Sequence, residues 1–200
     1  MTRIIGIFDF DGVEVLDCAG PYEVLTTASR VHGLLAPGAT RPFHVKTIGQ
    51  TGAMQRARAG LSVFPDADFA TTSYLDVLLV PGGVVAAELE KKAVIDWIGA
   101  IARDAELVAS VCTGSLLLAQ AGLLDGLDAT THWDDIDAMR AAFPQVRVHA
   151  QRRWVDNGAI ITSAGISAGI DMALHLVERL ASRALALATA HRMEYDWNEG

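Results

Sequence analysis

The chain is short of cysteine, of basic runs and of long apolar stretches, and each shortage removes a class of function. Its 200 residues contain two cysteines, Cys18 and Cys112. Neither falls in a metal-type or multi-bridge spacing, so a reduced, cytoplasmic setting is the expectation, with Cys18 in a structural role. Sixteen Lys and Arg against 24 Asp and Glu leave a net charge of −8 and no Lys/Arg-rich run. That balance argues against a nucleic-acid surface, disfavours an anionic substrate and suits a small neutral organic one. The first residues offer one positive charge, Arg3, and the apolar segment after it is broken by Asp9 and Asp11, which does not make a signal peptide. Residues 107–124 are rich in Leu, Val and Ala, but Ser110, Thr113, Gly114, Ser115 and Gln120 interrupt them, so no membrane span is expected. Five histidines (His32, His44, His149, His175, His191) have no ligand spacing, and the chain lacks a glycine-rich phosphate or dinucleotide loop, so neither a metal nor a cofactor is expected.

What is present is a core. Hydrophobic residues make up 51% of the chain, with no linker, repeat or low-complexity segment, which predicts a single domain over residues 1–200. Short β-branched runs alternate with longer helical patterns, the signature of an α/β fold with a mostly parallel sheet covered on both faces. Strands are predicted over 3–9, 43–48, 75–80 and 106–111, with a hairpin-like excursion over 51–64. A further hairpin over 153–163 turns at Asp156-Asn157-Gly158. Helices are predicted over 16–31, 93–103, 113–121, 133–143, 166–180 and 182–192.

The stretch from Leu107 to Leu118 carries the chemistry. A buried strand ends on Cys112 and turns at once into a helix through Thr113-Gly114-Ser115, which places a thiol at a helix start. Free amides and the partial positive charge there favour a thiolate, and a pKa about two units below the usual value of about 8.5 would make the thiolate the majority form at pH 7. Cys112 is therefore the candidate nucleophile, against the plainer reading of a small buried hydrophobe. In a parallel sheet, ligands bind beyond the carboxyl ends of the strands, so the segments at Asp17, at Gly82-Gly83 and at Cys112 should meet. Asp17 either caps its helix or faces the sulfur as a protonated acid able to donate. Gly82 and Gly83 are either a plain turn or amide donors aimed at developing negative charge. Thr113 either holds Asp17 or a water through its hydroxyl, or caps its helix. His132 has the chemistry of a thiol partner but sits in a loop, where a structural role is the commoner one, and Trp133 is expected to wall a pocket or pack beneath it.

Four segments in this order resemble one family: D-x-A-G-P at Asp17 to Pro21, V-P-G-G at Val80 to Gly83, V-C-T-G-S at Val111 to Ser115, and A-T-T-H-W at Ala129 to Trp133. The sequence resembles the ThiJ/PfpI superfamily over nearly all its length, and within it the isonitrile (isocyanide) hydratase branch. The resemblance implies a flavodoxin-like three-layer sandwich with a nucleophile-elbow cysteine. It also implies a homodimer and a lyase that hydrates isonitriles to N-substituted formamides without metal or cofactor. Carried over, Cys112 matches the nucleophile, Asp17 the acidic partner and Thr113 the neighbouring hydroxyl. Gly82, Gly83, His132 and Trp133 would line the substrate site. Thr113 stands where the protease-like branch places histidine, which disfavours peptidase activity. Asp17 is one methylene shorter than the glutamate of the glyoxalase and deglycase-like branches. The chain also ends soon after Trp197, where related hydratases continue in a proline-rich tail. Two other readings stay open: a redox-sensing or glyoxalase/deglycase-like stress protein, and the ligand-sensing domain of a transcription regulator, although 200 residues leave no room for a DNA-reading helix pair after the core.

Overall fold

A computed structural model describes residues 1–199. In chain order the elements are β1 (Arg3–Asp9), α1 (Val15–Leu35), β2 (Phe43–Gly49), β3 (Gln55–Arg56), β4 (Ser62–Val63), β5 (Ala67–Asp68) and β6 (Val77–Val80). There follow α2 (Ala86–Leu89), α3 (Lys92–Ala102), β7 (Leu107–Val111), α4 (Gly114–Gln120), β8 (Asp128–Ala129) and α5 (Ile136–Ala142). The chain then runs through β9 (Arg147–Val148), β10 (Trp154–Asp156), β11 (Ile160–Ser163), α6 (Ala168–Leu180) and α7 (Arg183–Arg192).

Seven strands form one sheet in the order β10-β11-β7-β6-β1-β2-β5, parallel except for β10, which pairs antiparallel with β11. The central strands alternate between two cores because successive side chains of a strand point to opposite faces. Ile5, Ile7, Val77 and Leu79 pack with Val24 and Leu25 of α1, Met172 and Leu176 of α6 and Leu185 of α7. On the other face Phe8, Leu78 and Val80 pack with Val94 and Ile98 of α3, Leu117 and Leu118 of α4 and Met139 of α5. Both faces are dry, so the inner strands read as unbroken apolar runs. Each fully buried Leu, Ile or Phe contributes about 1.5–3 kcal/mol to this arrangement. The expected α/β sandwich with a mostly parallel sheet is what the structure shows.

Differences from the predicted elements are local. The helix after β1 runs four residues further, to Leu35, and passes through Pro21. The excursion over 51–64 is an antiparallel pair, β3 with β4. The two-residue strands β5, β8 and β9 and the single turn α2 carry no period and were not predicted. The segment at Trp133 opens as a 3-10 turn, Trp133–Asp135, before α5. The last long helix starts at Ala168 rather than at 166, because Ile166 has φ 55 and so lies outside helical geometry. No helix among the described residues is long and apolar enough to cross a membrane.

Candidate active site

Three parallel strands deliver the site. β7 ends at Val111, and Cys112 takes the left-handed conformation, φ 57, before Thr113 opens α4. Few side chains adopt that conformation without cost, on the order of 1–3 kcal/mol, so its neighbours must hold it. The Cys112 amide donates to the carbonyls of Ser163 (3.1 Å) and Ala164 (3.3 Å). Its carbonyl accepts from the hydroxyls of Ser115 and Thr131, each at 3.0 Å. The thiol is thereby aimed across the strand ends at α1.

Asp17 meets it there. Fully buried in the first turn of α1, Asp17 does not cap its own helix. Its Oδ2 accepts from the Gly82 amide and its Oδ1 from the Ile166 amide, both at 3.1 Å, and the Cys112 thiol lies close enough to the same carboxyl for each to shift the other's titration. Burial pushes Asp17 up to about 6, although the amides and the thiol pull in the other direction. Burial, and then the charge of Asp17, push the Cys112 thiol up to about 12.

This corrects the expected thiolate. A helix start does lower the thiol through the Thr113 amide, but α4 has only seven residues, and desolvation beside a carboxylate outweighs so small a field. Burial therefore acts on the thiol in the direction opposite to the expected lowering, and it favours keeping the proton on sulfur beside the Asp17 carboxyl. The pair carries one negative charge either way.

The glycines have a different part from the one expected of them. The Gly82 amide is spent on Asp17, and the Gly83 amide donates to Thr113 Oγ1 at 2.9 Å, so neither is a free donor toward a substrate. A Cβ at Gly82 would lie 2.6 Å from the Thr113 nitrogen and 2.8 Å from Cys112 Cβ, which explains the absence of a side chain there. Thr113 neither caps α4 nor bonds Asp17. Its hydroxyl donates to the Gly83 carbonyl (3.0 Å) and thereby ties the elbow to the end of β6.

His132 and Trp133 are near the site without joining it. His132 Nδ1 accepts from the Asp134 amide (3.3 Å), and among the described residues no hydrogen bond links its ring to Cys112. A Cys-His dyad is absent from this geometry. Trp133 is 78% exposed on the wall of an opening of about 710 Å³, so it walls a pocket and does not pack beneath one. Thr131, His132, Ile136, Gly165 and Ile166 share that wall. Gly165 is the link between the opening and the sulfur: a Cβ there would lie 3.3 Å from Cys112 Sγ and 2.3 Å from His132 Cδ2.

Gly165 and Ile166 are the site residues that sequence reasoning missed. Both follow β11, a fourth strand end, and the signal available was a small-residue run after a strand, Ser163-Ala164-Gly165, like the Pro-Gly-Gly after β6. The run's one polar side chain, the Ser163 hydroxyl, is turned to the Ser110 carbonyl (3.2 Å). No group of three or more His, Cys, Asp or Glu that could hold a metal ion occurs among the described residues.

Known proteins resemble this chain in sequence and in fold. Isonitrile hydratase of Pseudomonas putida is 36% identical over 198 residues, 98% of this chain and 79% of that protein. The HTH-type transcriptional regulator GbdR of Pseudomonas aeruginosa is 32% identical over 192 residues, 96% of this chain but 50% of the regulator, so the chain spans about half the length of that relative. The crystal structure of a ThiJ/PfpI family protein from Pseudomonas syringae superposes with a TM-score of 0.86 at 28% identity, covering 99% of this chain and 77% of that one. The pattern of the DJ-1/PfpI family matches residues 3–179, which hold every strand of the sheet and the segments that meet at Cys112, and the chain belongs to the DJ-1/PfpI family.

Proposed function

We propose that the protein hydrates isonitriles to N-substituted formamides, with Cys112 as nucleophile and Asp17 as the group that moves the proton. The contact between the Cys112 thiol and the Asp17 carboxyl carries this reading. The terminal carbon of an isonitrile must accept both a nucleophile and a proton, and the pair offers both at one point. The likeness to the Pseudomonas putida isonitrile hydratase supports the substrate class.

The steps balance without an outside reagent. The thiol proton passes to the Asp17 carboxylate, the sulfur bonds to the isonitrile carbon, and Asp17 returns the proton to that carbon, giving a thioimidate. Water then adds to the same carbon while Asp17 takes its proton and passes it to nitrogen. The tetrahedral adduct collapses, the carbon–sulfur bond breaks, and the hydroxyl proton restores the thiol as the formamide leaves. The Thr113 hydroxyl spends its proton on the Gly83 carbonyl and so has no donor left for the water, which Asp17 orients as the acceptor of its proton. A general acid or base contributes roughly 10²–10⁴ in rate, so Asp17→Asn should lose that much and Cys112→Ala essentially all turnover. Incubation with a simple alkyl isonitrile, with formamide followed by NMR and the Cys112 adduct by mass spectrometry, checks this. Undiminished turnover by Cys112→Ala defeats the proposal.

The homodimer and the cytoplasmic setting belong to the same proposal, and sedimentation velocity tests the first of them. An oxidation sensor needs an exposed thiol of low pKa, and a buried thiol pushed up to about 12 speaks against that use. A ligand-sensing unit that binds without turnover is the second reading, favoured by the match to half of a transcriptional regulator. Saturable isonitrile binding with no formamide formed would select it.

A further inference from the structure

A second cavity, of about 300 Å³, opens between the first turns of α1 and the β3–β4 hairpin. It shares no lining residue with the opening beside His132. Its polar feature is Asp9, at the end of β1. The Asp9 side chain is fully buried, and among the described residues no group donates a hydrogen bond to either of its carboxylate oxygens. The neighbouring Phe10 amide lies close enough to favour the charged form without hydrogen-bond geometry. A buried carboxylate left this way costs free energy comparable to its lost solvation, and a donor in the cavity would recover it. Val13, Val15, Leu61 and Phe64 supply apolar walls, and Asp66 adds a second carboxyl. Among the described residues no Lys, Arg or His lines the cavity.

We infer that this cavity binds a small organic ammonium ion, its charged nitrogen on Asp9 and its short apolar body against Val13, Leu61 and Phe64. A cation is selected because Asp9 and Asp66 are both acidic, Asp11 lies near Asp9, and among the described residues no basic side chain lines the cavity. A bare metal ion is excluded by its need for more ligands, since the described residues hold no cluster of three potential ligands. At about 30 Å³ per water, the volume matches roughly ten waters, which limits the guest to about ten non-hydrogen atoms. Burial pushes Asp9 up to about 6, so its carboxyl is still charged at neutral pH, and a bound cation would draw it back toward the ordinary range. The site is separate from the proposed reaction: α1 lines it with Val15, Cys18, Ala19 and Tyr22, and neither Asp17 nor Cys112 lines it.

Calorimetric titration of the protein with benzylammonium chloride at pH 7.5 tests this. Saturable binding of one cation per chain is expected, with benzyl alcohol and Asp9→Asn each weakening it on the order of 10- to 100-fold and benzoate giving no heat. Leu61→Trp, at a half-exposed position, should block the cavity in a chain that still folds. Cys112→Ala should bind as the wild type does, whatever becomes of the hydration chemistry. Equal binding by Asp9→Asn or by benzyl alcohol, loss of binding in Cys112→Ala, or no saturable heat with the wild type would each overturn the assignment. So would a self-associated protein in which a second copy covers Phe64 and excludes the cation.

Discussion

Cys112 and Asp17 behave as one acid. Burial raises both, to about 12 and about 6; the charge of Asp17 raises the thiol further, while the thiol favours the charged form of Asp17. Between those values the pair keeps one proton and one negative charge, and the fraction with the proton on Asp17 does not change with pH. Below about 6 Asp17 is protonated before the thiol can give anything up, so the pair loses its base. The proposed activity should therefore rise tenfold per pH unit up to about 6 and stay level through pH 9, read from kcat/KM for an alkyl isonitrile. A fall between pH 7 and 9 would contradict this assignment of the proton. Asp9 illustrates the same physics without a partner. Its carboxyl lies at about 6 in the folded chain and near 4 in the unfolded one, so the folded state holds the extra proton between those values. The penalty is absent below pH 4 and complete above pH 6. Asp9→Asn should thus stabilise the protein at pH 7.5 by roughly 2–3 kcal/mol and by almost nothing at pH 4, measured by urea unfolding at both values.

At the scale of elements, the site depends on where strands stop. β6, β7 and β11 lie side by side, and each ends in a bend: the first two bring Gly82 and Cys112 to Asp17, and the third also lines the opening. Gly82 ends the first bend, Cys112 the second, and Gly165 with Ile166 the third, where an amide at φ 55 reaches Asp17. Gly165→Ala would place a methyl group 2.3 Å from His132 Cδ2 and 3.3 Å from the sulfur. His132 must move or the bend must open, and a displacement near 1 Å at a reacting atom costs on the order of 100-fold in rate. Turnover should fall by about that factor while the far-ultraviolet circular dichroism is unchanged; full activity would show that the bend has slack. These elements were legible to different degrees. Long periodic segments such as α3 and β7 were predicted within a residue or two of their bounds. The two-residue strands were not, because they are held by partners distant in the chain and carry no pattern of their own.

Across the whole molecule, the last residues lock the outer helices to the sheet. Asp171 of α6, fully buried, pairs with Arg153 just before β10. Its Oδ1 accepts from the Asn198 amide (2.9 Å), and its carbonyl accepts from Trp197 Nε1 (3.1 Å). One carboxylate thus gathers three distant parts of the chain. Asp171→Ala would leave the Arg153 charge half-buried without its partner and should cost about 3–5 kcal/mol. Urea denaturation measures this, and a loss below about 1 kcal/mol would show that the ion pair is not what holds the segment.

The residues alone determined the layered α/β class, because apolar runs of strand length alternating with helical periods permit few other ways to bury both faces of a sheet. They also singled out Cys112 and Asp17, whose chemistry is visible wherever they lie. Only the tertiary structure decided that the two are buried side by side and that Asp17 is held by amides contributed by residues 65 and 149 positions away from it. The empty-handed carboxylate of Asp9 is likewise a tertiary fact: an aspartate at the end of a strand carries no mark in the sequence of being buried beside a cavity.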